Sequence, residues 1–273
     1  MKLKDKVAII TGASRGIGKN IAKKIAKEGA EVVLVSRSKK ELERTLEEIK
    51  QEGGKGILIP TDISKKQDVS NLLKQVIENY SKVDILVNST AIITPIGPLN
   101  KINIEEWENT IKNNLFGTLY CIKQTMSHMI ERNYGKIVNL SGGGAFKPFP
   151  NFSAYAVSKA AIIRLTETVA EELRDYNITI NAISPGAIKT QMTSIVLENK
   201  SEAGEEYYNA KKVFDTGGAS LKKVEDLALF LVSDESKGLS GKTISAVWDD
   251  LDYIKNNISK VQQSDRFTLR RID

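Results

Sequence analysis

The sequence predicts an α/β fold: a doubly wound parallel sheet with helices on both faces, in one domain. Short apolar runs alternate with amphipathic stretches about seven times along the chain, the order in which parallel strands alternate with crossover helices. A turn with three glycines, "TGASRGIG" at 11–18, joins the first apolar run to the first helical pattern. No composition break or solenoid-length repeat divides the 273 residues, a length that one large domain accommodates.

In chain order, "KVAIITG" reads as the first strand, followed by a helix from Gly18 to Gly29. "EVVLVSRS" reads as the second strand, followed by a charged helix from about Lys39 to Glu52. "GILIPTD" is a strand and "SKKQDVSNLLKQVIENYS" a helix; "VDILVNST" is a strand that runs into a loop to about Asn103. One long helix is expected over 104–133, then the strand "GKIVNLSG", the helix "AYAVSKAAIIRLTETVAEELRDYN" and the strand "ITINAISPG". The helix "VEDLALFLVSD" and the strand "KTISAVW" complete the alternation. Residues 1–250 are read as the domain, with 191–221 a polar insert suited to a mobile lid and 251–273 a C-terminal tail extension.

Composition narrows the function. Hydrophobic residues make up 41% and charged residues 27%, as in ordinary globular proteins. No apolar run approaches the ~20 residues of a membrane span, and the N-terminus lacks a secretory pattern, so the expectation is a cytoplasmic protein without membrane partners. The single cysteine, Cys121, cannot form an intrachain disulfide and reads as buried packing. With one histidine, His128, a Cys/His metal cluster is not available; no metal is expected, and His128 reads as a helix-surface residue. The net charge of +6 comes from lysines interspersed with acids, a solvated pattern rather than a nucleic-acid stripe.

The glycine turn carries the first chemistry. Its spacing is G-x-x-x-G-x-G, not the common G-x-G-x-x-G. Between a strand and a helix, however, Gly12, Gly16 and Gly18 would bring backbone N–H groups up to a pyrophosphate at the helix N-terminus. An acid at the end of the second strand would bind a ribose 2′-hydroxyl. Here the end reads Val35-Ser36-Arg37-Ser38. Arg37, assisted by Arg15 in the loop, suits a 2′-phosphate, so NADP(H) is preferred over NAD(H); solvated surface arginines are the plainer alternative. In "SAYAVSKAA", Tyr155 and Lys159 stand four apart, on one helical face. An ammonium near a phenol stabilises the phenolate and lowers its pKa, which makes the tyrosine a usable acid or base. Alone, such a pair is common.

Together the motifs resemble the classical short-chain dehydrogenases/reductases. "TGASRGIG", "PTDIS", "DILVN", "NNLFG", "IVNLSGG", "YAVSK" and "NAISPGAIKT" occur in that family's order over residues 7–190. The resemblance implies a Rossmann-like sheet, a small carbonyl or alcohol substrate and a homo-oligomer, usually a tetramer built on helices at about Ile104–Arg132 and Ala154–Tyr176. It implies that Tyr155 is the general acid, that Lys159 binds the nicotinamide ribose and depresses the Tyr155 pKa, and that Asn114 holds a relay water. Ser14 and Ile17 belong to the matching phosphate loop. Asp62 and Ile63 would flank the adenine, Asn88 and Ala91 would line the cofactor, and Pro185, Gly186, Ile188 and Thr190 would contact the nicotinamide end.

The family pattern breaks in three places. The serine that binds the substrate oxygen commonly lies thirteen residues before the tyrosine, which here is Gly142, with Ser141 one residue early. Ser141 is taken as the candidate; loss of the role, or its replacement by a backbone N–H, are the alternatives. The usual "NNAG" reads "NSTA", and the chain continues well past the last strand. That tail carries Trp248, Tyr253, Phe267, Arg270 and Arg271, which suit packing across the chain's own surface or an interface better than a substrate pocket. The leading reading is a carbonyl reductase or its reverse. Oxidoreduction of a sugar or nucleotide-sugar in polysaccharide assembly, and a non-catalytic dinucleotide sensor, are the alternatives.

Overall fold

The computed structural model describes residues 1–271; Ile272 and Asp273, the end of the expected tail, lie outside the described residues. Strand β1 is Val7–Thr11, buried throughout. Its side chains alternate between two cores: Ala8 and Ile10 pack with Ile21, Ile25 and Phe230, while Val7 and Ile9 pack with Leu72, Cys121 and Met129. Strand β2, Glu31–Ser36, repeats the division, with Val32 and Leu34 on one side and Val33 and Val35 on the other. Strands apolar on both faces need cover on both faces.

That cover comes from the intervening helices. The remaining strands are β3 (Lys55–Pro60), β4 (Ile85–Asn88), β5 (Gly135–Leu140), β6 (Ile178–Ser184) and β7 (Thr243–Ser245). All pair in parallel, in the order β3-β2-β1-β4-β5-β6-β7. Helices α1 (Gly16–Lys27) and α2 (Lys39–Gln51) lie on the first face, and α3 (Lys66–Tyr80) on the second. Next come α4 (Ile104–Ile111), a π-turn at Lys112–Phe116, α5 (Gly117–Glu131) and α6 (Ser153–Glu172). The expected long helix over 104–133 therefore contains a change of helical pitch. Helices α5 and α6 cover the second face.

The expected polar insert is helical: α7 (Gln191–Glu198), α8 (Lys200–Ala203) and α9 (Glu205–Thr216). Its Val196, Ala203 and Ala210 pack with Ile93, Ile96, Phe152 and Tyr155 in a third, smaller apolar cluster. Helix α10 (Leu221–Val232) returns to the first face. In the tail, α11 (Leu251–Asn256) and α12 (Ile258–Gln262) bury Ile254 and Val261 in the first core. The chain then passes along β7, where Thr243 N–H donates to the Phe267 carbonyl at 2.7 Å and Lys242 Nζ to the Ser264 carbonyl at 2.6 Å. Its last described residues lie against α6: Leu269 N–H donates to Glu167 Oε1 at 2.6 Å, and Arg164 to the Leu269 carbonyl at 2.7 Å. No described helix is long and apolar enough to cross a membrane.

Cys121 is buried, as expected. His128 differs from expectation: it is only partly exposed, its Nε2 is shut away from solvent, and burial lowers its pKa.

Candidate active site

Strand order reverses between β1 and β4, which opens a crevice at the carboxyl ends of the strands. The glycine loop lies there. Gly12 has φ +66°, and a Cβ would come within 3.0 Å of the Ser89 and Thr90 backbone. A Cβ on Gly18 would stand 2.4 Å from the Gly12 carbonyl oxygen. Both positions therefore exclude side chains. Thr11 Oγ1 holds the facing segment by accepting from Ser89 N–H at 3.1 Å. Helix α1 begins at Gly16 with no side-chain cap and no acid in its first turn. Its leading N–H groups and positive dipole end are thus available to an anion. Gly16 faces the Thr190 side chain, joining the loop to the segment after β6.

The other expected cofactor residues differ in what they contact. Ser14 accepts through its carbonyl from Thr45 Oγ1 at 3.4 Å, and Ile17 packs on the first core. Arg15 is exposed, 3.9 Å from Glu41. Arg37 is exposed just beyond β2, and the preceding Ser36 Oγ is buried without a hydrogen-bond partner. Asp62 accepts from Ser64 N–H at 3.1 Å and Ser64 Oγ at 2.7 Å, and Ile63 is buried next to Gly117. Asn88 donates to Asn139 Oδ1 at 2.9 Å, which leaves its own Oδ1 buried and unpartnered. Ala91 edges the third apolar cluster. Pro185 is buried, Gly186 has φ +77° and lies against Val247, Ile188 bridges to Gly218, and Thr190 N–H donates to Thr193 Oγ1 at 3.4 Å. A backbone cradle closed to side chains and orphaned buried oxygens at Ser36 and Asn88 fit a bound dinucleotide.

Tyr155 and Lys159 lie in the first turns of α6, both buried. Lys159 Nζ stands 5.7 Å from the Tyr155 ring centre and donates to the Leu140 carbonyl at 2.7 Å. Burial dominates both titrations: it pushes the Tyr155 hydroxyl up to about 12 and the Lys159 ammonium down to about 8. The expected depression of the Tyr155 pKa is thus reversed, because the loss of solvent around the phenol outweighs an ammonium directed at a carbonyl. Asn114 lies in the π-turn. It donates to the Ile92 carbonyl at 2.9 Å and to Ser158 Oγ at 3.0 Å, and accepts from Ile92 N–H at 2.8 Å. Ser158 Oγ in turn donates to the Tyr155 carbonyl at 2.7 Å. Asn114 thereby ties the segment after β4 to the turn of α6 that carries Tyr155.

Ser141 directs its hydroxyl to the Lys159 carbonyl at 3.4 Å. Gly142 is the residue beside Tyr155: a Cβ there would fall 2.3 Å from the Tyr155 hydroxyl oxygen. Sequence reasoning did not single out the apolar wall. Phe149 and Phe152 stack at 4.6 Å, and Phe149 lies 6.4 Å from the Tyr155 ring. The aromatic spacing in "FPNFSAY" is the one sequence signal that points to it.

The model of the family described as short chain dehydrogenase matches residues 6–201. A 3-oxoacyl-[acyl-carrier-protein] reductase of Staphylococcus epidermidis is 33% identical over 241 residues, spanning 88% of this chain and 96% of that protein. An uncharacterized oxidoreductase of the same species is 35% identical over 193 residues, spanning 70% and 82%. NAD+-bound xylitol dehydrogenase superposes with a TM-score of 0.83 at 28% identity, covering 90% of this chain and 98% of the other. A variant of actinorhodin polyketide ketoreductase with NADPH superposes at 0.82 with 27% identity, covering 89% and 95%. The chain therefore belongs to the short-chain dehydrogenases, oxidoreductases of alcohol and carbonyl groups that use a nicotinamide dinucleotide.

Proposed function

We propose that this chain reduces a carbonyl to a secondary alcohol, or runs the reverse reaction, with NADP(H) preferred and Tyr155 as the general acid/base. The observation that carries the reading is the buried Tyr155–Lys159 pair beside an apolar wall at the carboxyl ends of the strands. The reductase names of the Staphylococcus epidermidis relative and of the polyketide ketoreductase favour the reductive direction.

Gly12, Ser14, Arg15, Gly16, Ile17 and Gly18 would hold the pyrophosphate, and Asp62 and Ile63 the adenine. Asn88, Ala91, Lys159, Pro185, Gly186, Ile188 and Thr190 would hold the nicotinamide half. No acid ends β2, so Arg37, assisted by Arg15 once it turns from Glu41, would meet a 2′-phosphate, and the unpartnered Ser36 Oγ offers a further hydrogen bond. When bound, the dinucleotide supplies or accepts the hydride. In the reductive direction Tyr155 gives its hydroxyl proton to the carbonyl oxygen as that oxygen gains charge. A hydroxyl held near 12 remains protonated at neutral pH, as a proton donor must. The Lys159 ammonium supplies positive charge on the same helical face. Phe149, Phe152, Ile93 and Val196 exclude water and favour an apolar substrate.

Tyr155→Phe is expected to lower kcat at least 10³-fold with a ketone panel while leaving the NADPH Kd within about threefold. NADH run in parallel is expected to give a lower kcat/KM. Undiminished turnover by the phenylalanine variant would remove Tyr155 from the mechanism. We also infer that copies of the chain associate through the face of α4, the π-turn and α6, where Ile104, Phe116 and Val157 are 57%, 40% and 49% exposed.

A further inference from the structure

The loop after β5 places glycine where a side chain would meet the reacting tyrosine. From 141 to 146 it reads Ser-Gly-Gly-Gly-Ala-Phe. Its one hydroxyl, on Ser141, is spent on the Lys159 carbonyl. The carbonyl just before it, on Leu140, accepts from Lys159 Nζ. Both polar groups nearest the glycines therefore serve Lys159. Gly144 is fixed in the left-handed region at φ +80°, and a Cβ there would come within 2.7 Å of both Ala156 and Phe149. These contacts hold the loop against α6 and bring Gly142 onto the Tyr155 hydroxyl.

We propose that Gly142 is a specificity-determining residue: it seats the Tyr155 hydroxyl in the space of a missing side chain, leaves Tyr155 as the one side-chain donor this loop region presents to the substrate oxygen, and so restricts turnover to electron-poor ketones. The proposal rests on the reductase reading. In that reaction the carbonyl carbon takes up a hydride from the reduced dinucleotide. The C=O π pair becomes an oxygen lone pair, the oxygen takes the Tyr155 proton, and the dinucleotide is oxidised. Negative charge builds on oxygen as the hydride arrives. A single missing donor at such an oxygen costs about 10²–10³ in rate. A second carbonyl or ester next to the reacting one withdraws electron density and replaces part of that stabilisation from within the substrate. The apolar wall of Ile93, Ile96, Phe149 and Val196 fits the uncharged remainder. The substrate class is therefore an apolar α- or β-dicarbonyl.

The same geometry separates this proposal from the view that Gly142 is a lost serine awaiting restoration. A Cβ 2.3 Å from the phenol oxygen is relieved by moving the end of the tyrosine side chain. That movement is cheap for the fold and harmful to the reaction, because proton transfer depends on the placement of that oxygen. The test uses wild type, Gly142→Ala and Gly142→Ser with NADPH, on two matched pairs: 2,3-butanedione with 2-butanone, and ethyl acetoacetate with 2-pentanone. Wild type is expected to favour the dicarbonyl partner at least 100-fold in kcat/KM. Both variants are expected to lose at least 30-fold in kcat, with KM and the NADPH Kd changed less than threefold; a retained Kd also reports a folded site. Gly142→Ser raising kcat on a monoketone would overturn the proposal, as would wild-type selectivity below tenfold. Wild type inactive on all four carbonyls despite binding NADPH would instead bring down the reductase reading and this proposal with it.

Discussion

Lys159 is 2% exposed and its ammonium has a single carbonyl partner, so its charge is held against a solvation cost. Its folded pKa of about 8 lies below the ordinary 10.5. The unfolded chain then binds the proton more tightly between those values, and stability rises with pH across the window from about 8 to 10.5. The penalty is fully present below pH 8 and is on the order of 3 kcal/mol. Urea unfolding of wild type and Lys159→Met at pH 7.5 and 10 measures it directly: wild type should gain stability with pH relative to the variant, and equal pH dependence would show that the ammonium is not strained. On the proposed mechanism, the same titration is expected to set an alkaline limb, near pH 8, in kcat/KM for reduction. At this scale the sequence was legible where spacing alone defines a face. Tyr155 and Lys159 share a helix face because they are four apart, and the structure places them so. Ser141 was not legible. Which way a hydroxyl turns at the head of a run of three glycines depends on contacts with Lys159, Ala156 and Phe149, none of them local in sequence.

Elements were legible in proportion to the regularity of their burial. Strands covered on both faces read as continuous apolar runs, and each expected strand is present in parallel register. Their ends were overestimated. The fourth strand, "VDILVNST", pairs only over Ile85–Asn88, and "KTISAVW" only over Thr243–Ser245. The residues beyond turn aside to meet the site: Ser89 hydrogen-bonds Thr11, and Val247 packs on Gly186. The insert looked polar because its helices cover a small cluster on one side only, with Gly204 and Gly217 at its turns. The π-turn had no signal beyond the pair Asn113-Asn114, since tertiary ties to Ile92 and Ser158 fix it. The tail helix α11 is anchored by Ile254, which is wholly buried in the first core. Ile254→Ala should therefore cost about 2–5 kcal/mol in urea unfolding, with kcat on any accepted ketone unchanged within twofold. A cost below 1 kcal/mol would show that the tail docks loosely.

At the scale of the whole molecule, three of the exposed apolar residues fall on neighbouring elements. Ile104, Phe116 and Val157 lie on α4, the π-turn and α6, which pack together, and Phe116 stacks on Tyr120 at 6.3 Å. Burying such a face in a second copy removes it from water. The double variant Phe116→Glu, Val157→Glu should run as a monomer in sedimentation velocity where wild type runs as a dimer or larger; an unchanged sedimentation coefficient would place the interface elsewhere. The two ends of the sheet are treated differently. Strand β3 is bordered by exposed Lys55 and Pro60, a charge and a residue without an N–H. Strand β7 has neither, and its outward Thr243 N–H is taken by the Phe267 carbonyl. An open strand edge is a template for pairing with any other unpaired strand, the first step toward cross-β aggregation. The tail therefore removes one of the unpaired groups through which β7 could seed such pairing, and is itself held by the hydrogen bond from Leu269 N–H to Glu167.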